Sequence, residues 1–71
     1  MIRFNTTTEL TLATNYNPST GNIGEEQIVL FHKSEVVKAI PVNESDMYAD
    51  LEFEDGSVAF GVHKDCFLLL A

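Results

Sequence analysis

The sequence predicts an all-β fold in one small domain, and three observations point to it. Apolar and polar residues alternate on both sides of an Asp55-Gly56 pair, which is a strong hairpin signal. Threonine and β-branched residues recur in the other apolar segments, as β-strands favour. Clusters of Asn, Pro, Ser and Gly separate those segments and mark turns. With 71 residues, the chain is expected to form a single domain over residues 1–71.

The elements before the hairpin are predicted from composition and alternation. Residues 1–8 are predicted to form an N-terminal arm or an extra strand. The strands that follow are residues 9–16, 27–31 and 36–42. Pro41 predicts that the last of these strands lies at a sheet edge or ends there. A long loop joins the first two strands, because residues 17–22 are rich in turn formers. A helix over residues 25–37 is the alternative, but the β-branched residues there favour strands.

The hairpin is predicted together with its register. A two-residue type I′ loop at residues 55–56 would pair Leu51 with Phe60 and Ala49 with Val62. All four side chains would then face the same, buried side of the sheet. A shift of one residue would turn the whole apolar set towards water, so this pattern strongly specifies the register.

The order of the elements resembles that of a known family. After the hairpin, residues 63–66 are predicted to form one 3₁₀ turn and residues 67–70 a final strand. Short strands, a long first loop and a 3₁₀ turn before the last strand resemble an SH3-like barrel, of the small bacterial and phage type. Residues 29–35, Val-Leu-Phe-His-Lys-Ser-Glu, are similar to the family's Leu-Ser-Phe-x-x-Gly-Glu turn, and residues 61–68 resemble its Gly-x-x-Pro-x-x-Tyr-Val ending. The resemblance implies a five-stranded SH3-like barrel.

The resemblance also implies a partner-binding groove. The candidate partner-binding residues are Tyr16, Glu25, Glu26, Tyr48, His63 and Phe67. The three aromatic residues stand at positions similar to those that line the family's groove, and the histidine stands at its groove proline. The groove tryptophan of the family has no counterpart here, so the resemblance implies the fold rather than the proline-rich ligand. The alternative is that the aromatic rings cap the core, with the hydroxyls of the two tyrosines in water.

The charge of the chain narrows the class of partner. Eleven acidic residues against four basic ones give a net charge of −7, which argues against nucleic acid as a ligand. Besides the two glutamates of the long loop, the candidate acidic surface contains Asp50, Glu52, Glu54 and Asp55. Such a surface suits a basic or amphipathic protein or peptide. The alternative is that the acids only keep the domain soluble and block edge pairing.

A cytoplasmic location is expected. The longest apolar run, residues 66–71, has six residues, far fewer than the about 20 that a membrane span needs. The first residues lack the pattern of a secretion signal. Cys66 is the only cysteine, so no disulfide forms within the chain, as is usual in a reducing compartment.

No metal, cofactor or catalytic activity is expected. The His63-x-x-Cys66 spacing occurs in zinc half-sites, but a structural zinc needs about four ligands and His32 is the only other His or Cys. The chain contains no nucleophile elbow, phosphate loop or His-Glu-x-x-His motif. The predicted function is a non-catalytic protein-interaction module, acting as an adaptor, an inhibitor or an assembly component. The alternatives are an acidic inhibitor that mimics nucleic acid and a structural subunit of a homo-oligomer.

Overall fold

Short antiparallel strands make up nearly all the regular structure of the chain. The computed structural model describes residues 1–14, 17, 19–22 and 24–70. The strands of these residues are β1 (Ile2–Phe4), β2 (Thr8–Thr14), β3 (Glu25–Phe31), β4 (Val36–Val37), β5 (Ala39–Val42), β6 (Tyr48–Phe53), β7 (Val58–His63) and β8 (Phe67–Leu69). The all-β prediction is confirmed, and the helix considered for residues 25–37 is wrong. The N-terminal residues form a strand rather than a loose arm.

The strands form two sheets. A three-stranded sheet has the order β4-β1-β8, and a five-stranded sheet has the order β3-β2-β7-β6-β5. All the pairings are antiparallel. The outermost strands of the larger sheet, β3 and β5, do not pair with each other, so the described residues do not form a closed barrel.

The chain passes between the two sheets four times, because β1, β3, β4 and β7 are each followed by a strand of the other sheet. Two of these crossings fall in segments that were predicted from the sequence. The predicted strand 36–42 is divided at Lys38, because β4 pairs with β1 whereas β5 pairs with β6. The backbone carbonyl of Lys38 accepts a hydrogen bond from the N–H of Glu54 at this point (3.1 Å). The other of these two crossings is the 3₁₀ turn Lys64–Cys66, which links β7 to β8 and agrees with the turn expected from the sequence.

The loop of the β6–β7 hairpin has three residues, so the predicted type I′ loop is wrong. A type I′ turn needs positive φ at both central residues, and at this loop only Gly56 has positive φ (89°). Its N–H donates to the carbonyl of Phe53 (3.0 Å), and the N–H of Phe53 donates to the carbonyl of Ser57 (2.8 Å). This pattern is typical of a type I turn followed by a left-handed glycine, and it moves the register by one residue.

A β-bulge in the middle of the hairpin restores the predicted register. Leu51 pairs with Ala59 instead of Phe60, but Ala49 pairs with Val62 as predicted. The extra residue in β7 is accommodated at Gly61, whose φ is 65°, a conformation that glycine adopts without a steric cost. The shifted register places Ala59 in the core and Phe60 on the solvent side, where it is 46% exposed, so the prediction that Phe60 is buried is wrong.

The core lies between the two sheets. Its largest fully buried side chains are Ile2 and Phe4 from the small sheet and Leu51 from the large one. Phe31 stacks on Phe4 with a centroid distance of 4.6 Å and on Phe53 with one of 5.6 Å. These three rings connect strands of both sheets, so the aromatic stack supplies an important part of the inter-sheet contact.

Candidate functional site

The side of the five-stranded sheet that points away from the three-stranded sheet is called the outer face. Because side chains alternate along a strand, this face takes the residues that alternate with those directed towards the three-stranded sheet. Cross-strand pairing sets one row across all five strands: Glu26, Ala13, Val58, Glu52 and Ile40. The two glutamates of the row are three strand spacings apart, about 14 Å.

Further acidic groups lie on the same face. Glu9 pairs with Leu30 at the β2–β3 side of the sheet and is exposed. Asp50 lies opposite the bulge, where its Oδ1 accepts the N–H of Gly61 (2.9 Å) and its Oδ2 accepts the Nδ2 of Asn43 (3.2 Å). The bulge therefore holds one carboxylate in a defined orientation, whereas Glu9 is held only by its strand.

Exposed aliphatic side chains accompany these carboxylates. Ile28 is 67% exposed, Leu30 is 50% exposed and Ile40 is 53% exposed. Ile28 has the short side chain of Thr11 as its cross-strand neighbour, which leaves most of the isoleucine uncovered. Apolar residues that combine with charge on one exposed face are typical of surfaces that bind other proteins.

The basic residues lie elsewhere. Arg3 belongs to β1 in the small sheet, and Lys33 lies in the turn after β3. The Nζ of Lys38 is 3.7 Å from Glu54, and the Nζ of Lys64 is 3.7 Å from Glu44. Among the described residues, Glu9, Glu26 and Glu52 have no ion pair. The outer face therefore keeps an uncompensated negative charge.

Two of the sequence-predicted site residues come together. Tyr48 and His63 pair across β6 and β7, and their rings make an edge-on contact at 5.2 Å. The Nδ1 of His63 accepts the backbone N–H of Asp65 (3.1 Å) and thereby caps the 3₁₀ turn. Tyr48 is 48% exposed, so part of its ring remains accessible beside the acidic residues of the outer face.

The other predicted site residues are placed apart from this pair. Glu25 and Glu26 begin β3, at the opposite edge of the five-stranded sheet from β5. Phe67 is only 7% exposed and belongs to the core. Tyr16 lies outside the described residues. The structure thus places the pair Tyr48 and His63 on one part of the outer face and Glu26 on another.

The carboxylate of Asp55, in the hairpin loop, has a shifted pKa. The hydroxyl of Ser57 and then its backbone N–H donate to the Asp55 carboxylate and lower its pKa below the ordinary aspartate value. Ser57 itself is buried. The carboxylate therefore satisfies a buried hydroxyl and stabilises the loop, while it remains exposed to water.

Two open apolar grooves adjoin the aromatic stack. The larger, about 470 Å³, lies between β3 and the hairpin loop, with Val29, Phe31 and Phe53 in its lining. The other, about 370 Å³, has Met1 and Ile40 in its lining and lies at β5. The ion pair between Lys38 and Glu54 lies at the border of both grooves.

Within residues 1–14, 17, 19–22 and 24–70, no three His, Cys, Asp or Glu side chains come together as a metal ion would require. No helix in that part of the chain has the length and apolar character needed to cross a membrane. Cys66 is a half-buried free thiol that packs against the core.

Comparisons of the chain with protein-family models, with curated proteins and with solved structures find no match.

Sequence reasoning found the acids of β6 but missed the aliphatic part of the outer face. Residues 28–31 are Ile-Val-Leu-Phe, an unbroken apolar run in which alternation cannot separate the buried from the exposed members. In the structure Phe31 is buried, whereas Ile28 and Leu30 are exposed. The only sequence signal for this outcome is Glu26, which lies two residues before Ile28 and therefore shares its face.

Proposed function

We propose that this chain is a non-catalytic protein-interaction module that binds a basic, amphipathic segment of a partner protein on its outer face. The observation that carries the proposal is the combination on that face of unpaired carboxylates, Glu9, Glu26 and Glu52, with exposed aliphatic side chains such as Ile28. Lysine and arginine of a partner would meet the carboxylates, and its apolar residues would cover the aliphatic ones.

Electrostatics and burial have different roles in this binding. The net charge of −7 attracts a basic partner over distance and raises its association rate at low salt. Exposed ion pairs contribute only about 0.2–1 kcal/mol each, so they contribute more to the selectivity of binding than to its affinity. Burial of the aliphatic side chains contributes about 25 cal/mol per Å² of apolar surface removed from water and provides affinity that persists at higher salt.

We also propose that the scaffold is SH3-like in its fold. Two features support it. Ser34 stands at the glycine of the family's Leu-Ser-Phe-x-x-Gly-Glu turn, and its φ is 73°, a conformation that favours glycine. The chain also has a 3₁₀ turn before its last strand, which is one of the features that SH3-like barrels share. Fold alone does not determine function, so the binding proposal depends on the outer face.

The mimicry of nucleic acid is a weaker explanation of the same charges. A surface that replaces phosphates needs carboxylates at short, regular intervals. Here the row that contains Glu26 and Glu52 has Ala13 and Val58 between them, and Ile28 is exposed nearby. The apolar residues favour a partner that brings apolar side chains of its own.

The experiment is a selection of binding peptides from a random displayed library, with charge-matched variants of the protein. For the wild type we expect enrichment of lysine and arginine together with aliphatic or aromatic residues. In the E26Q/E52Q double variant, selected peptides should bind about 2- to 30-fold more weakly, because two surface ion pairs are lost. The control E44Q/D65N removes the same charge from two carboxylates that already lie 3.7 Å from a basic group of this chain, Lys64 and His63, and should leave affinity nearly unchanged. Peptides without basic residues, or equal losses in both variants, would contradict the proposal.

A further inference from the structure

The five-stranded sheet has one edge that differs from every other sheet edge in the described residues. The edge strands of the two sheets are β3, β4, β5 and β8. β4 has two residues, β8 has three, and β5 has four with Pro41 among them. β3 has seven residues, Glu25–Phe31, and contains no proline and no lysine. Its register with β2 is continuous, without a bulge.

Short length, proline, lysine and bulges are the means by which proteins prevent further pairing at a sheet edge. Three of the four edges have at least one of them, and β3 has none except two glutamates at its start. In an antiparallel strand with one neighbour, alternate residues direct their N–H and C=O groups away from that neighbour. About three or four residues of β3 therefore present backbone donors and acceptors on the side away from β2.

The side chains next to this edge indicate what would pair with it. On the outer face, β3 presents Glu26, Ile28 and Leu30 in that order, and Leu30 lies beside Glu9 of β2. Strands β2 and β3 contain three glutamates and no lysine or arginine. A strand added at β3 would cover Ile28 and Leu30 with its own apolar residues and would place a cation beside Glu26.

We infer that β3 is a strand-addition site for an extended basic peptide, which binds antiparallel to it as a sixth strand of the sheet. Read from its N-terminus, the peptide has two apolar residues at alternate positions, opposite Leu30 and Ile28, and then a lysine or arginine opposite Glu26. This inference rests on the proposed function, whose partner it specifies as an extended segment. A second copy of this chain is the less favoured occupant, because each copy carries a net charge of −7 and like charges repel.

The experiment uses a probe peptide, acetyl-Thr-Val-Thr-Val-Thr-Lys-Thr-Lys-amide, and the full chain. Its valines and lysines share one face of an extended strand. The control peptide carries glutamate in place of both lysines. Two N-methylated versions of the probe carry methyl groups on alternate backbone nitrogens, one version for each edge of the peptide. We expect the probe to bind, with slower amide hydrogen exchange at alternate residues of β3. One N-methylated version should lose binding and the other should retain it, because only one edge of the peptide pairs.

Matched protein variants separate edge pairing from docking on the whole outer face. Ile28 and Ile40 are similarly exposed, on opposite edges of the sheet. I28S should weaken binding of the probe about tenfold, through the loss of an aliphatic contact, whereas I40S should leave it unchanged. Both positions are on the surface, so both variants are expected to fold.

Three other outcomes would contradict either the strand-addition inference or the proposed function. Equal weakening by I28S and I40S, with no difference between the N-methylated peptides, would overturn strand addition and leave the proposed function standing. Equal binding of the lysine and glutamate peptides would contradict the proposed function itself. Dimers of the protein without peptide, dissociated by I28S in sedimentation equilibrium, would assign the edge to a second copy of the chain and overturn the inference.

Discussion

Replacing Phe31 by alanine tests whether one aromatic stack holds the two sheets together. Phe31 lies at the end of β3, is 6% exposed, and stacks on Phe4 from the small sheet and on Phe53 from the large one. Removal of a buried phenylalanine ring costs about 3–5 kcal/mol. A domain of 71 residues has a free energy of unfolding of about 4–11 kcal/mol, from about 0.05–0.15 kcal/mol per residue. We therefore expect F31A to lose a large part of the stability of the fold.

Urea denaturation, followed by circular dichroism, measures this loss. For a domain of this size the slope of the unfolding free energy is about 1 kcal/mol per molar urea, so F31A should lower the midpoint by about 3–5 M or leave the chain unfolded. The variant F31L keeps most of the volume but removes both ring contacts, each worth about 0.5–1.5 kcal/mol. It should lower the midpoint by about 1–3 M and remains measurable if F31A does not fold.

The control variant is I28A on the same strand. Ile28 is 67% exposed, and a surface substitution changes stability by about 0.5 kcal/mol or less. A loss below about 1 kcal/mol in F31A, or a loss in I28A as large as that in F31A, would refute the assignment of Phe31 to the inter-sheet core.

The remaining predictions concern the hairpin loop. G56V should lower the free energy of unfolding by about 1–2 kcal/mol, because a β-branched residue resists the positive φ of position 56. Beyond the two neighbouring residues no atom lies within 4 Å of the added Cβ, so the cost is in the backbone. G56N should cost less, since asparagine tolerates this conformation, and urea denaturation of both variants checks the order. The lowered pKa of Asp55 means that its hydrogen bonds to Ser57 stabilise the fold above the unfolded-state pKa of about 3.9. That stability should disappear as the pH falls through the lower, folded-state pKa. D55N should remove this part of the pH dependence, and an unchanged acid transition in D55N would show that Asp55 does not contribute to it.

The fold class was accessible from the sequence because its signals are local. Alternation of apolar and polar residues on both sides of the 55–56 loop reflects the two-residue period of a strand, which holds whatever the strand pairs with. The hairpin, the 3₁₀ turn and the all-β class follow from such local patterns. The acidic part of the outer face was accessible for the same reason, because Asp50 and Glu52 alternate with buried residues of β6.

The detailed register of the hairpin was not accessible. A two-residue and a three-residue loop fit the same Asp-Gly sequence, and the choice decides whether Ala59 or Phe60 faces the core. Two glycines with positive φ, Gly56 and Gly61, shift the register and then restore it. A glycine in a strand signals that a bulge is allowed, but only packing against the other sheet selects the small Ala59 for the core and leaves Phe60 outside.

The amino-acid sequence by itself determined the all-β class, most of the strand segments and the excess of negative charge, because propensity, alternation and composition do not depend on which strands pair in space. Only the tertiary structure decided that β2 pairs with both β3 and β7, and that β3 is left as a long edge. The β2–β7 pairing joins segments far apart in the chain, and its stability comes from burial that no local sequence pattern indicates. The same long-range packing buries Phe31 and Phe67 while it exposes Ile28. The proposed binding surface is therefore a product of strand order, and its residues could be recognised only after the two sheets were assembled.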